Sequence, residues 1–254
     1  MIKLIEIDET ASTNTLMSQQ IDTLSHGTVI LARRQSAGRG QRGNSWEAEP
    51  DKNVTMSLLL RELPVDAPRQ FAVSEAVALA VADTVCRLVP ERAPEVCVKW
   101  PNDIYVADRK IAGILIECGI MGRGLTHAIA GIGLNVNQTV FVSDAPNPES
   151  VARLTGRCNY DVASIATEIA QRITNTLSAP DFDAEALHAR FLSRMWRRSG
   201  NHLWRSRDTG LTFRASIAGV SPEGFLTLLP EGSGKPLPPF AFKEVEAVPD
   251  NQNG

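Results

Sequence analysis

A chain of 254 residues with 43% apolar residues and a net charge of −3 is long enough for one substantial domain and a small one, and it carries no overall electrostatic footprint for nucleic acid. Its four cysteines (Cys86, Cys97, Cys118, Cys158) are far apart and read as reduced thiols of a cytosolic protein, and its four histidines show no metal-ligand spacing, so no protein-built metal site is expected. No apolar run reaches membrane-spanning length, and the first residues alternate like a strand and lack the apolar core of a signal peptide.

Residues 2–7 and 28–34 read as strands, and 12–24 opens with small hydroxyl and amide residues that suit a helix start. A strand follows at 54–60. The apolar spacing of Phe71, Val73, Ala76, Val77, Ala80, Val81 and Val85 predicts a largely buried helix over 68–89. Strands at 96–100, 104–106, 110–118 and 125–135 are joined by short turns and form an antiparallel meander. Polar, proline-bearing 139–150 is a loop, and 161–177 and 183–196 read as helices. After Ser199-Gly200 the pattern changes to short strands at 211–217, 225–229 and 240–245, which form a small β-module. The fold class is therefore α+β, a mixed and largely antiparallel sheet with helices.

Lys99-Trp100-Pro101-Asn102-Asp103 places one lysine on a strand end beside a rigid turn, because proline fixes its own φ and biases Trp100 toward an extended backbone. A lysine held this way can act on a bound anion. Gly38-Arg39-Gly40-Gln41-Arg42-Gly43 satisfies the dinucleotide pattern Gly-x-Gly-x-x-Gly, yet Asn44, Ser45, Trp46, Pro50 and Asn53 break any helix after it. The better reading is a loop whose backbone N–H groups, with Arg39 and Arg42, close over an anion. Ser12-Thr13-Asn14 suits a helix cap and also polar recognition of a buried ligand. Small residues in Lys110-Ile111-Ala112-Gly113-Ile114-Leu115 and Gly131-Ile132-Gly133-Leu134-Asn135 leave room for ligand or for a tightly packed sheet.

Taken in order, Ser12-Thr13-Asn14, the segment from Arg34 to Trp46, Lys99 to Asp103 followed by Arg109 to Leu115, and Gly131 to Asn137 resemble the biotin protein ligase family, in its short form without an amino-terminal DNA-binding domain. The resemblance implies a class II synthetase-like catalytic domain over 1–203 and an SH3-like β-barrel over 204–254. It implies two half-reactions: biotin and ATP, with Mg2+, give biotinyl-5′-AMP, and a lysine of a biotin carboxyl carrier protein or domain then takes the biotin. Carried over residue by residue, Ser12, Thr13, Asn14, Gln35, Arg39, Gly40, Gln41 and Lys99 would bind biotin. Arg39, Arg42, Trp46, Asn102 and Asn135 would bind nucleotide, with Lys99 and Arg39 acting in catalysis. The match departs from the family at Gln41 and Asn44, where many members carry arginine. A lipoate or octanoate ligase and a non-catalytic biotin or adenylate sensor are the competing readings. A cytoplasmic enzyme is expected that leaves a homodimer open and binds neither membrane nor, lacking a helical region before the first strand, DNA.

Overall fold

Alternation decides which face of a strand is buried, and in this protein it separates a packing face from a working face. The computed structural model describes residues 1–142 and 147–249, without the side chain of Arg42. Seven strands make the main sheet: β1 (Lys3–Thr10), β2 (Thr28–Gln35), β3 (Val54–Leu60), β4 (Val96–Lys99), β5 (Asp103–Val106), β6 (Arg109–Met121) and β7 (Gly124–Leu134), in the order β1-β2-β3-β7-β6-β5-β4. Strands β4 to β7 form the expected meander. The helix α1 (Thr13–Gln19) crosses between β1 and β2 and makes that pair parallel, as a crossover connection requires.

One face of the sheet is apolar. Met56 and Leu58 of β3, Ala130 and Ile132 of β7, Ala112 and Ile114 of β6, Ile104 of β5 and Val98 of β4 are all buried in one core. They pack under α2 (Phe71–Leu88), which covers β4 to β6, and α4 (Val162–Leu177), which covers β3, and α2 also meets α5 (Ala184–Ser193). Helix α2 ends at Leu88 because Pro90 disfavours helical geometry at the residue before it. The carboxylates of Asp161 and Asp183 cap α4 and α5, accepting from Ser164 N at 3.1 Å and from Glu185 N at 2.9 Å. A short helix, α3 (Val151–Thr155), follows the 139–150 segment and closes on Gly156 in the left-handed region.

From His202 onward a second sheet forms, with β8 (His202–Ser206), β9 (Thr212–Val220), β10 (Leu226–Pro230) and β11 (Val245–Ala247) in the order β10-β9-β8-β11. Strand β8 has too few alternating apolar positions to stand out in sequence. The stretch expected as one strand over 240–245 is instead two isolated bridges, at Phe240 and Phe242, followed by β11. The two sheets meet at Trp100, whose indole N–H donates to Gly224 O at 3.0 Å and whose ring meets Phe242 edge-on at 6.2 Å. Among the described residues no helix is long and apolar enough to cross a membrane.

Candidate active site

The opposite face of the main sheet is floored by glycines, and strand register arranges it in rows. Ser57, Gly131 and Leu115 lie side by side across β3, β7 and β6. Two residues along, about 7 Å away at strand spacing, lie Thr55, Gly133, Gly113 and Asp103. Each row receives a side chain from outside the sheet. A Cβ on Gly131 would come 2.4 Å from Asn14 Oδ1, and one on Gly133 would come 2.3 Å from Trp46 Cε2. These glycines are therefore the seats of Asn14 and Trp46.

The Asn14 row ends a narrow pocket with a preformed polar network. Ser12 starts α1 through its backbone, accepting from Leu16 N at 3.0 Å, while its hydroxyl makes no capping bond and lines the pocket. Thr13 donates twice to Gln35 Oε1, from its backbone N at 2.7 Å and its hydroxyl at 3.1 Å. Ser57 Oγ lies 2.7 Å from Thr13 Oγ1 and 2.5 Å from Asn14 Oδ1, and with one proton it donates to one of them at a time. The Asn14 amide donates to Leu115 O at 3.3 Å and to Glu117 Oε2 at 2.7 Å. Ser12, Thr13, Asn14 and Ser57 are all buried, so their polar groups depend on these partners.

The glycine and arginine loop closes the same pocket as a small hairpin. Trp46 N donates to Gly38 O at 3.0 Å, Gly40 N donates to Asn44 O at 2.6 Å, and Gln41–Gly43 forms a 3-10 turn at the tip. No helix follows, which rules out a dinucleotide-binding turn. Arg39, Gly40, Gln41 and Asn44 line the pocket, and the Arg39 guanidinium is held by Glu117 Oε1 at 2.5 Å. The side chain of Arg42 lies outside the described residues.

Two lysines stand near the Trp46 row, in different places. Lys110 lines the inner pocket, with Nζ 2.7 Å from Asp103 Oδ1 and 5.7 Å from the centre of the Trp46 ring. Lys99 does not line this pocket. It borders a wider outer cleft beyond Trp46, which Lys110 also lines, and donates to the Tyr105 hydroxyl at 3.0 Å, lying 4.9 and 5.3 Å from the ring centres of Tyr105 and Trp196. Burial lowers the Lys99 pKa from its ordinary value, and burial also raises that of Tyr105.

Asn102 also lines the inner pocket, but its side-chain amide donates to Ile114 O and its backbone carbonyl accepts from Ile114 N at 3.1 Å, so it clamps β6. Asn135 borders the outer cleft, donating to Glu149 O at 2.9 Å. Its Oδ1 and the indole N–H of Trp46 are buried and have no partner among the described residues, and both belong to side chains that line this cleft. Unpaired buried polar atoms of this kind are uncommon and call for a partner, which water or a ligand supplies.

Residues 6–135, which contain every element of both pockets' floor, match the model of the biotin/lipoate A/B protein ligase family. The chain belongs to that family. Among its relatives, the bifunctional ligase/repressor BirA of Escherichia coli is 28% identical over 228 residues, covering 89% of this chain and 68% of the relative. The biotin--[acetyl-CoA-carboxylase] ligase of Paracoccus denitrificans is 37% identical over 127 residues, 50% of this chain and 52% of that one. A biotin protein ligase from Aquifex aeolicus, solved in complex with biotin and ATP, shares the fold with a TM-score of 0.76 at 21% identity, over 98% of this chain and 100% of that one. A Leishmania major ligase solved with biotinyl-5-AMP has a TM-score of 0.65 at 20% identity, over 94% of this chain and 98% of that one.

Sequence reading of this ligase-family chain expected Ser12, Thr13, Asn14, Gln35, Arg39, Gly40, Gln41 and Lys99 at a biotin site and Arg39, Arg42, Trp46, Asn102 and Asn135 at a nucleotide site. Ser12, Thr13, Asn14, Gln35, Arg39, Gly40, Gln41 and Asn102 line the inner pocket, Lys99 and Asn135 line the outer cleft instead, and Trp46 lines both. The sequence reading missed Ser57, Glu117 and the pocket position of Lys110. Ser57 carried a signal, as the polar residue at the centre of the otherwise apolar run Met56-Ser57-Leu58.

Proposed function

We propose that this chain is an ATP-dependent biotin protein ligase, which adenylates biotin and passes it to a lysine of a biotin carboxyl carrier domain. The observation that carries this reading is the two-row pocket. A polar end suits a planar cyclic urea, whose donors and acceptor would cost a few kcal/mol to bury unpaired. Next to it lies a glycine-floored stretch under Trp46, and at the far end stands the Lys110–Asp103 pair. The ligands named for the solved relatives support the same chemistry.

In this reading the urea meets Ser12, Thr13 and Gln35, while Asn14, whose amide is taken by β6, shapes the wall. The biotin carboxylate then lies toward Lys110. Its oxygen attacks the α-phosphorus of ATP, the bond from that phosphorus to the bridging oxygen breaks, and pyrophosphate leaves with the electron pair. Lys110, oriented by Asp103, offsets the negative charge of both reactants. ATP occupies the outer cleft as its magnesium complex, with the ion carried on its phosphates. Asn135 Oδ1 and the Trp46 indole N–H are the polar atoms left for the nucleotide, and Lys99 faces the phosphates. In the second step the carrier's amine attacks the acyl carbon, the bond from that carbon to the phosphate oxygen breaks, AMP leaves and the amine proton passes to solvent.

The direct test is ATP-pyrophosphate exchange with the purified chain. Exchange that requires biotin is expected, and equal exchange with lipoate but none with biotin would overturn the reading. Gln41 gives a second expectation. It lines the inner pocket where many relatives place arginine, and a neutral amide donates weaker bonds to phosphate than a guanidinium, by about 1 kcal/mol. Gln41→Arg should therefore slow release of biotinyl-adenylate by about fivefold in stopped flow without altering the preference for biotin. An unchanged off-rate would mean that position 41 does not contact the adenylate.

A further inference from the structure

Glu117 stands at the junction of three elements that the reaction needs. It belongs to β6, on the working face beyond Leu115. Its two carboxylate oxygens are divided: Oε1 takes the guanidinium of Arg39 at 2.5 Å, and Oε2 takes the amide of Asn14 at 2.7 Å. One bond reaches an arm of the 36–46 loop, at Arg39, and the other reaches α1. The loop is thus pinned to the sheet twice, by Trp46 seated on Gly133 and by Arg39 held on Glu117.

The two bonds differ in how easily they exchange. Arg39 and Glu117 are 45% and 42% exposed, so their pair has the small net strength of a surface ion pair. A phosphate presents more charge and a matching fork of oxygens, and can take the guanidinium from the carboxylate. Asn14 is buried, its carbonyl faces Ser57, and its second amide proton goes to Leu115 O at 3.3 Å. Without Glu117 the amide nitrogen would keep only that longer bond, with Ser57 still holding the carbonyl.

We infer that Glu117 is a positioning residue: in the ligand-free protein it holds Arg39 over the pocket and fixes the Asn14 amide, and it yields Arg39 to the incoming phosphate. The second half of this inference rests on the biotin ligase reading. The first half does not, because it concerns the chain without ligand.

Glu117→Gln tests it, since glutamine keeps the size and one acceptor but removes the charge. In the ligand-free variant, amide hydrogen exchange in residues 38–46 should quicken about fivefold while α2 is unchanged. The KM for biotin should rise about five- to tenfold with kcat within about twofold. Loop exchange and biotin KM both equal to wild type would overturn the inference and leave Glu117 as a solvated surface carboxylate. If Glu117→Gln does not fold, wild-type protein carries the same test: raising NaCl from about 0.05 to about 0.5 M should quicken exchange in the loop and not in α2, because the pair is exposed to screening. Salt-independent loop exchange would equally overturn it. Failure of the ligase reading looks different, as absence of biotin-dependent pyrophosphate exchange in wild type with the loop still loosened by Glu117→Gln.

Discussion

Lys110→Met will lower single-turnover adenylate formation by about a hundredfold or more, while Lys99→Met will cost about tenfold or less and appear mainly in the KM for ATP. The first figure is the usual loss on removing one positioned electrostatic group from a site shielded from water. Methionine keeps the length of the side chain and removes only the charge, so the variants separate electrostatics from packing. Lys110 is the lysine of the inner pocket, 2.7 Å from Asp103, whose carboxylate orients the ammonium. Lys99 is turned toward Tyr105 and Trp196 at the edge of the outer cleft. In the proposed reading it would meet the polyphosphate end of ATP sooner than the reacting carboxylate. The opposite ranking of the two variants would return the reacting end to Lys99.

Sequence made the two lysines hard to rank for a physical reason. Both sit at strand ends flanking β5, and both are followed by residues that look functional, Trp-Pro-Asn-Asp in one case and Ile-Ala-Gly in the other. What separates them is a register shift between Ile104 and Tyr105, which pairs Tyr105 with Lys110 while Asp103 pairs with Gly113. A bulge of this kind re-aims a side chain and leaves no mark in the alternation of apolar residues. The rest of the sheet was legible because strands 54–60, 110–118 and 125–135 have one face of Val, Leu, Ile and Ala that can only be a core. The polar network was half legible: Ser12, Thr13 and Asn14 are contiguous and stand out, whereas Ser57 and Glu117 reach them only through strand pairing. The glycines at 113, 131 and 133 read equally well as tight packing, and it takes the positions of Asn14 and Trp46 to show what each one seats.

Gly133→Ala should lower biotin-dependent pyrophosphate exchange by about thirtyfold with little change in thermal stability. The backbone at this position lies outside the left-handed region, so alanine meets no conformational penalty and the effect is one of space alone. Its Cβ would come 2.3 Å from Trp46 Cε2 and 2.5 Å from Nε1. The backbone of β7 is fixed by pairing on both sides, to Thr55 of β3 and Gly113 of β6, so the indole has to lift instead. Overpacking of this kind costs about 1–3 kcal/mol, and here the loop carries the strain while the apolar face of the sheet is untouched. A displaced Trp46 opens the pocket, withdraws its N–H from the outer cleft and takes Asn44 and Ser45 with it. Gly219→Ala is the control, since nothing among the described residues lies within 4 Å of the Cβ it would add in the second sheet. It should exchange pyrophosphate at the wild-type rate. Tryptophan fluorescence reports the cause directly: Gly133→Ala should shift the emission of the ligand-free protein, and Gly219→Ala should not. Normal exchange in Gly133→Ala together with shifted emission would mean that the indole can leave its seat without cost to the reaction, and Trp46 would then have no part in holding either substrate.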